Sequence, residues 1–279
     1  MPLDVIVLAA GQGKRMRSDL PKVLHPLAGR ALLAHVLETA RALSPRKTIV
    51  VHGHGAERVR AAFAQSDLDW VLQAEQLGTG HAVQQAMPQV HAKSTVVILY
   101  GDVPLVRAES LKRLIDAAGD GVAVMTTDLD DPKGYGRIVR QASGRVERIV
   151  EDKDASEKER AIREINAGFM ALSASRLAGW LKKIGNQNAQ GEYYLTDVVT
   201  LAVSEGVPVH AVKIGDADEV AGVNSKRELA ALERAYQRRQ AAKLLDDGVT
   251  IADPARIDIR GSLECGRDVA AFLKQNLPA

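Results

Sequence analysis

The amino-acid sequence predicts an α/β fold with a mostly parallel sheet, and three observations lead to it. Over the first half of the chain, apolar runs of strand length alternate with stretches of helical periodicity. A glycine-containing loop, residues 8–22 (LAAGQGKRMRSDLPK), directly follows the first apolar run. A second turn, Gly101-Asp102, follows another strong apolar run. Because ligands of such folds bind at the carboxyl ends of the strands, both turns are expected at one binding site.

The individual elements follow from the apolar spacing. The predicted strands are Val5–Ala10, Thr48–Val51, Val96–Tyr100 and Val122–Thr127, with β-rich pieces at Gly136–Arg140, Arg145–Val150 and Ile165–Leu172. The predicted helices are Ala31–Leu43, Ala56–Ala64, Glu192–Val203 and Ser225–Leu244. The irregular middle, about 128–188, is expected to form the second wall of a cleft.

Composition bounds the class of protein. The 279 residues are 46% hydrophobic and 26% charged, which is typical of one large or two ordinary globular domains. A net charge of +2 does not indicate a nucleic-acid surface, and no apolar run approaches the roughly 20 residues of a membrane span. The single cysteine excludes an internal disulfide, and a strand close to Met1 leaves no room for a signal peptide. A cytoplasmic protein is therefore expected.

The first loop carries the features of a phosphate site. Gly11 and Gly13 allow a sharp turn and close approach of the backbone to a ligand, while Arg15 and Lys22 add positive charge. Two solvated surface cations after a turn are the simpler alternative. A dinucleotide-binding module is disfavoured, because Met16 stands where its fingerprint requires a third glycine. Asp102, at the end of an apolar strand, offers a carboxylate for Mg²⁺, with a turn or helix cap as the alternative.

Several motifs together resemble one family. The first loop is similar to the signature of sugar-phosphate nucleotidylyltransferases. The later stretches QAEQLGTGHA (73–82), LYGDVPL (99–105), GYGRI (134–138), IVEDKDA (149–155), EINAG (164–168), NAQGEYYLTD (188–197) and VAGVN (220–224) resemble bacterial N-acetylglucosamine-1-phosphate uridylyltransferases. In that family this region is the N-terminal half of a bifunctional enzyme whose other half is an acetyltransferase. The resemblance covers roughly residues 3–269 and implies a Rossmann-like nucleotidyltransferase domain with a mixed, mostly parallel sheet.

The resemblance also implies substrates and roles. UTP and N-acetyl-α-D-glucosamine 1-phosphate would give UDP-N-acetylglucosamine and pyrophosphate with Mg²⁺, for cell-wall precursors. Catalytic roles are implied for Arg15, Lys22 and Asp102, and metal ligation for Asp102 and Asn224, where helix capping competes as an explanation. The implied nucleotide contacts are Leu8, Ala9, Ala10, Gly11, Lys22, Gln73, Gly78, Thr79, Tyr100 (through its backbone), Gly101 and Asp102. The implied sugar-phosphate contacts are Gly136, Glu151, Asn166 and Asn224, with Tyr193, Tyr194 and Thr196 completing that wall.

The last segment changes its apolar period. Ile251, Ile257, Leu263 and Val269 recur every six residues, which is typical of a parallel β-helix, and the series stops at Gln275. We expect a uridylyltransferase domain at 1–226, a linker helix at 227–250, and the truncated first turn of a left-handed β-helix with a divergent tail at 251–279. Coincidence in a flexible tail is the alternative. Acetyltransferase activity is expected to be absent. Family trimers rest largely on the β-helix, so a monomer is one open outcome for this chain.

Two functional alternatives remain open. One is a related nucleotidylyltransferase that uses another sugar or nucleotide, which substrate preference would distinguish. The other is a non-catalytic nucleotide-binding or assembly module, against which the presence of Arg15, Lys22, Asp102 and Asn224 counts. Partners other than these small molecules, such as nucleic acid or a membrane, are not expected.

Overall fold

The computed structural model describes residues 1–64, 67–261, 263–266 and 269–271. Its strands, in chain order, are β1 Leu3–Ala9, β2 Pro26–Leu27, β3 Arg30–Ala31, β4 Lys47–His52, β5 Asp69–Leu72, β6 Thr95–Tyr100, β7 Val122–Asp128, β8 Arg137–Arg140, β9 Val146–Val150, β10 Glu164–Ser173, β11 Val209–Lys213, β12 Thr250–Ile251 and β13 Ala270–Ala271. Its α-helices are α1 Leu32–Arg41, α2 Ala56–Ala62, α3 Thr79–Ala86, α4 Ala108–Ala118, α5 Glu157–Arg160, α6 Ala174–Leu181, α7 Asp197–Ser204, α8 Ala217–Val220 and α9 Lys226–Asp246.

The central sheet is mixed and mostly parallel, as the sequence predicts. Its strand order is β11-β7-β10-β6-β1-β4-β5, and β8 and β9 extend it from β10. β1 pairs in parallel with both β4 and β6, whereas β10 is antiparallel to β6 and β7. In the register of β1 and β6, Leu8 lies opposite Tyr100. The loops that follow these two strands therefore leave the sheet side by side.

The sheet is covered on both faces, which explains the continuous apolar runs of its strands. Along β1, Val5 and Val7 face a layer that includes α1 and α4, while Ile6 and Leu8 face a layer that includes α3, α6 and α7. Burial on both faces removes the alternation of polar and apolar residues that a half-exposed strand would show. The packed sheet fixes the edge from which the two loops leave.

The predicted helix at Glu192–Val203 is wrong at its beginning. Helix α7 starts only at Asp197, and the five preceding residues form a loop. The reason lies in the backbone hydrogen bonds of Tyr193, whose N–H donates to the Leu77 carbonyl at 2.8 Å and whose carbonyl accepts from Gly80 N–H at 2.7 Å. These groups pair with the turn before α3, so they are not available to a helix.

Helix α9 packs against residues from the beginning of the chain. Its buried Leu232 and Ala235 share an apolar cluster with Met16, Leu27 and Val223. The domain boundary at residue 226 stays a prediction. The helix that follows this boundary is anchored to residues from the beginning of the chain. None of the helices within the described residues is long and apolar enough to cross a lipid bilayer.

Among the described residues after α9, two short strands pair with each other. β12 and β13 pair in parallel, with Thr250 opposite Ala270. Ile251, Ile257 and Val269 pack against a small cluster after α9, whereas Leu263 is 50% exposed. Three of the four periodic positions thus face one core. The left-handed β-helix stays a prediction, and the predicted end of the repeat at Gln275, like most of the tail, lies outside the described residues.

Candidate active site

The first loop turns tightly between β1 and Lys22. Gly13 has φ +62°, and a Cβ there would lie 2.8 Å from the Cβ of Lys22, so a larger residue would push this loop apart. Arg15 lies on a short 3₁₀ turn, Lys14–Met16, that is anchored by the buried Met16. The Arg15 side chain is exposed. Its charge therefore faces solvent, and Arg15 is not among the residues that line the cavity described below.

Lys22, Asp102 and Asn224 meet at one point. The Lys22 ammonium forms an ion pair with the Asp102 carboxylate and donates a hydrogen bond of 3.0 Å to Oδ1 of Asn224. The side chains of Lys22 and Asp102 are only 12% and 14% exposed. A pair so shielded from water interacts more strongly than a surface ion pair. The sequence-predicted cation and both predicted metal ligands therefore form one cluster.

Backbone contacts bring this cluster together. Gly101 N–H donates to the Leu8 carbonyl at 2.9 Å, which ties the end of β6 to the end of β1. The Asp102 carbonyl accepts from Val223 N–H at 2.9 Å and so brings the next residue, Asn224, beside the Asp102 turn. Ser225 is the N-cap of α9, and its hydroxyl accepts from Glu228 N–H. Asn224 is therefore not used as the cap, and its side chain reaches Lys22.

The cluster fits a small divalent cation. The side-chain oxygens of Asp102 and Asn224 already converge on one positive centre, the Lys22 ammonium. Within the described ranges there is no group of three or more His, Cys, Asp or Glu side chains suited to a metal. Mg²⁺ commonly uses only one or two protein oxygens and completes its shell with water and phosphate oxygens. The carboxylate of Asp102 and the amide oxygen of Asn224 suit that requirement.

A cavity of about 340 Å³ opens beside the cluster. Its walls include ten of the predicted nucleotide contacts and the predicted ligand Asn224. These are Leu8, Ala9, Ala10, Gly11, Lys22, Gln73, Gly78, Thr79, Tyr100, Asp102 and Asn224. Gly101 does not line the cavity, and a Cβ at this position would lie 3.2 Å from both Ala9 and Leu33. Four further lining residues were not predicted: Val23, Gln76, Ala82 and Glu192.

Gln73 and Gly78 form the far wall of the cavity. Gln73 is buried, and its Nε2 lies 3.1 Å from both the Gly78 carbonyl and Nδ1 of His81. Both contacts use the amide nitrogen, so the amide oxygen is left as an acceptor for a ligand. Gly78 has φ +107°, and a Cβ there would lie 2.6 Å from the Tyr193 carbonyl. The turn therefore requires glycine at this position.

Tyr100 contributes its ring and not only the expected backbone. The ring contacts Gly168, where a Cβ would lie 2.8 Å away, and meets Phe169 edge-on at 6.5 Å between ring centroids. Burial raises the pKa of the Tyr100 hydroxyl, and the charges of Glu151 and Asp102 raise it further. The phenol therefore stays neutral and links the cavity to the second wall of the cleft.

The second wall brings together Gly136, Glu151 and Asn166. A Cβ at Gly136 would lie 3.5 Å from both carboxylate oxygens of Glu151, and Asn166 N–H donates to the Gly136 carbonyl at 2.8 Å. These three residues do not line the 340 Å³ cavity. They form an adjoining cluster that Tyr100 connects to it. Thr196, from the same predicted wall, donates a hydrogen bond of 2.9 Å to Glu151.

The predicted tyrosines have different surroundings. The Tyr194 hydroxyl donates to Asp154 at 3.0 Å, so it does not point to Glu151 as a free group. Tyr193 closes the turn at Gly78 through its backbone. Tyr135, which the sequence did not indicate as a site residue, is partly buried, and Gly222 N–H contacts its hydroxyl. Burial and the nearby Glu228 raise the pKa of Tyr135. The sequence feature that could have indicated Tyr135 as a site residue is its place in the GYGRI motif.

A Rossmann-like sheet with a glycine-containing loop after its first strand, a shielded Lys-Asp-Asn cluster and an adjoining cavity of about 340 Å³ is typical of nucleotidyltransferases. The chain matches the MobA-like NTP transferase domain family over residues 5–250 and belongs to that family. The family generally uses a divalent metal ion.

The curated relatives are bifunctional proteins. The chain is 60% identical over 269 residues to the bifunctional protein GlmU of Paraburkholderia phymatum, and the match covers 96% of this chain and 59% of that protein. It is 59% identical over 269 residues to the bifunctional protein GlmU of Burkholderia orbicola and 57% identical over 268 residues to that of Dechloromonas aromatica, with the same coverage. The chain thus spans about 59% of the length of these relatives.

Proposed function

We propose that this chain transfers the uridylyl group of UTP to N-acetyl-α-D-glucosamine 1-phosphate, with Mg²⁺, and releases UDP-N-acetylglucosamine and pyrophosphate. The observation that carries the proposal is the shielded Lys22–Asp102–Asn224 cluster at the edge of the nucleotide-sized cavity. Family membership supports the reaction class. The choice of sugar rests on the motifs that resemble N-acetylglucosamine-1-phosphate uridylyltransferases.

The proposed reaction is a single displacement. A phosphate oxygen of the sugar substrate attacks the α-phosphorus of UTP, and the bond from that phosphorus to the β-phosphate oxygen breaks. Lys22 would stabilise the charge that develops on the α-phosphate, and the exposed Arg15 would hold the triphosphate tail. Asp102 and Asn224 would hold Mg²⁺, which supplies charge neutralisation at the phosphates when bound. The reaction needs no protein nucleophile, because the sugar phosphate itself attacks.

The proposed substrate sites follow the two walls. The Gln73 amide oxygen would accept a hydrogen bond from the uracil N3–H, whereas N3 of cytosine has no hydrogen to donate. Glu151 would accept hydrogen bonds from sugar hydroxyls, and Asn166 would pair with the N-acetyl group, with room provided at Gly136. Asn224 would contact the sugar phosphate as well as the metal.

The test of the proposed function is a substrate panel. Pyrophosphate release is measured with Mg²⁺ for UTP, CTP and dTTP, each against N-acetylglucosamine, glucosamine, glucose and galactose 1-phosphates. We expect the highest kcat/KM for UTP with N-acetylglucosamine 1-phosphate. A preference for another pair would move the substrate assignment within the family. The absence of turnover with every pair, in a chain that circular dichroism shows to be folded, would contradict the proposal.

Replacing Gln73 by alanine is expected to raise KM for UTP about tenfold, because one hydrogen bond to the base is lost from a buried site. The kcat/KM ratio of UTP to CTP should fall with it, while KM for the sugar phosphate stays unchanged. Steady-state kinetics with both nucleotides checks this. The matched control is Gln141→Ala, which is exposed and outside the cavity. An unchanged ratio of UTP to CTP in Gln73→Ala would remove Gln73 from base selection.

Glu151→Gln is expected to stabilise the protein at neutral pH while it weakens sugar binding. Burial raises the pKa of Glu151, and the charges of Asp197, Asp154 and Glu192 add to this. The folded chain therefore holds the Glu151 proton more tightly than the unfolded chain does. As pH rises above 4.5, the ordinary pKa of a glutamate, ionisation of this carboxyl group lowers the free energy of unfolding. The gain in Tm should be present at pH 7 and disappear below pH 4.5, the ordinary pKa of a glutamate.

The control for this pH dependence is the exposed Glu157→Gln, whose Tm should match the parent at both pH values. Thermal denaturation at pH 7 and pH 4 provides the comparison. A lower Tm for Glu151→Gln at pH 7 would contradict the predicted cost of the buried charge. An unchanged KM for the sugar phosphate would separately contradict the sugar assignment of Glu151.

A further inference from the structure

Arg137 is a buried cation that the proposed chemistry does not use. Its side chain is 2% exposed and is among the largest fully buried side chains of the described residues. One guanidinium nitrogen donates to the Tyr135 carbonyl, and the other donates to Oδ1 of Asp152 at 3.0 Å. Its Nε has no partner within the described part of the chain. Burying a cation is costly, so these two contacts must hold it in place.

The position of Arg137 relates it to the second wall of the cleft. In the sheet, Arg137 of β8 pairs with Val150 of β9 and with Ile165 of β10. The residues next in sequence to these three are Gly136, Glu151 and Asn166. All three proposed sugar contacts therefore lie one residue away from a single three-strand junction. Neighbouring residues on a strand point to opposite faces of the sheet. Arg137 therefore lies on the face opposite to that of Glu151 and Asn166.

The same arrangement holds for its side-chain partners. Tyr135 directly precedes Gly136, and Asp152 directly follows Glu151. The planar guanidinium of Arg137 thus connects the Tyr135 carbonyl to the Asp152 carboxylate. A lysine ammonium is a point charge without this forked geometry, so it is a poor replacement in a two-partner contact.

The junction leaves little free space. A Cβ at Gly136 would lie 3.0 Å from a methyl group of Ile149 and 3.5 Å from both Glu151 oxygens. Small shifts of β8 against β9 would therefore change the gap in which a sugar ring must fit. Misplacement of about 1 Å in a binding site can cost a hundredfold in rate. The contacts of Arg137 with Tyr135 and Asp152, here called the clamp, therefore have a functional consequence.

We propose that Arg137 is a positioning residue that sets the spacing of Gly136, Glu151 and Asn166 for the sugar phosphate. This inference rests on the proposed function for its substrate. The nucleotide cavity is lined by other elements, so the effect of Arg137 is restricted to the sugar side. Asp152 shares this role as the acceptor of the clamp.

The kinetic test compares Arg137→Lys and Asp152→Asn with Arg140→Lys. Arg140 lies on the same strand and pairs with Glu164 at 2.7 and 2.8 Å, but its side chain is 35% exposed. Arg137→Lys should raise KM for N-acetylglucosamine 1-phosphate about tenfold and leave KM for UTP within about twofold. Asp152→Asn should give a smaller rise with the same selectivity, and the control should change neither value.

Equal rises in both KM values, or an unchanged sugar KM in folded Arg137→Lys, would overturn the proposal. If Arg137→Lys does not fold, Asp152→Asn decides, because Asp152 is 24% exposed and its replacement is milder. An unchanged sugar KM in Asp152→Asn would then overturn the proposal.

A second measurement does not depend on activity. The Asn166 N–H, which donates to the Gly136 carbonyl, should exchange with deuterium faster in Arg137→Lys and Asp152→Asn, while Ile6 in β1 keeps its parental rate. Unchanged exchange at Asn166 would overturn the clamp. Absence of turnover in the parent chain would instead contradict the proposed function, and the exchange rates would still judge the role of Arg137.

Discussion

Replacing Lys22 by glutamine is expected to lower kcat for UDP-N-acetylglucosamine formation by roughly 10²–10³-fold, the usual effect of removing one donor that stabilises transition-state charge. The Lys22 ammonium already lies in a shielded position beside Asp102 and Asn224. A neutral side chain of similar length cannot supply its charge to the α-phosphate. Steady-state kinetics with UTP and N-acetylglucosamine 1-phosphate measures the loss.

The same variant has a second expected property that concerns binding. In the nucleotide-free chain, the Lys22 ammonium uses the oxygens that are proposed to hold Mg²⁺. Titration calorimetry should therefore show tighter Mg²⁺ binding to nucleotide-free Lys22→Gln than to the parent. The control is Lys112→Gln, on the exposed face of α4, which should change neither kcat nor Mg²⁺ binding. A kcat within tenfold of the parent would exclude Lys22 from the catalytic role.

Replacing Asp102 by alanine is expected to lower turnover by about 10³-fold or more, because the loss of a bound metal removes several kcal/mol of charge stabilisation. It also leaves the shielded Lys22 ammonium with Asn224 as its remaining partner in the cluster. Raising the Mg²⁺ concentration should restore little of the activity. Turnover measured over a range of Mg²⁺ concentrations provides the test.

Asp120→Ala is the matched control for this variant, since Asp120 is exposed at the end of α4 and distant in sequence from the Asp102 turn. Its turnover and Mg²⁺ dependence should equal those of the parent. Near-parental turnover in Asp102→Ala, with a cooperative thermal transition, would show that the metal is held elsewhere.

Local patterns were sufficient to predict most of the sheet. Strands β1, β4, β6 and β7 carry apolar runs because both faces of the sheet are covered there, and this pattern is visible without knowledge of the fold. The glycine-containing first loop was equally visible, because its glycines and cations lie within 15 residues of one another. In both cases the interactions that matter are local in sequence.

Contacts between distant residues were less accessible. Lys22 lies 80 residues from Asp102 and 202 from Asn224 in sequence, and spacing alone could not bring them together. The hydrogen bond from Val223 N–H to the Asp102 carbonyl, which only the tertiary fold supplies, brings Asn224 beside Asp102. The resemblance to a known family supplied the expectation instead. The loop at Glu192 was predicted as helix for the same reason, since its backbone pairs with a turn that is distant in sequence.

The Tyr100 ring is a further example. Its sequence position at the end of an apolar strand predicts only that its backbone reaches the site. The ring fits because Gly168 has no Cβ, which would lie 2.8 Å from the ring. This glycine lies in β10, where the register against β7 shifts between Asn166 and Met170. A strand irregularity of this kind has no clear signature in a single sequence.

The most direct measurement of the central claim is the stereochemistry of transfer from UTP with a chiral α-thiophosphate. If N-acetylglucosamine 1-phosphate attacks the α-phosphorus directly, the sulfur-labelled UDP-N-acetylglucosamine forms with inverted configuration at that phosphorus, and inversion is the result we expect. Retention would require a covalent intermediate on the protein and would contradict direct transfer at the Lys22–Asp102–Asn224 cluster. The absence of product from a folded chain that also fails with unmodified UTP would contradict the transfer itself.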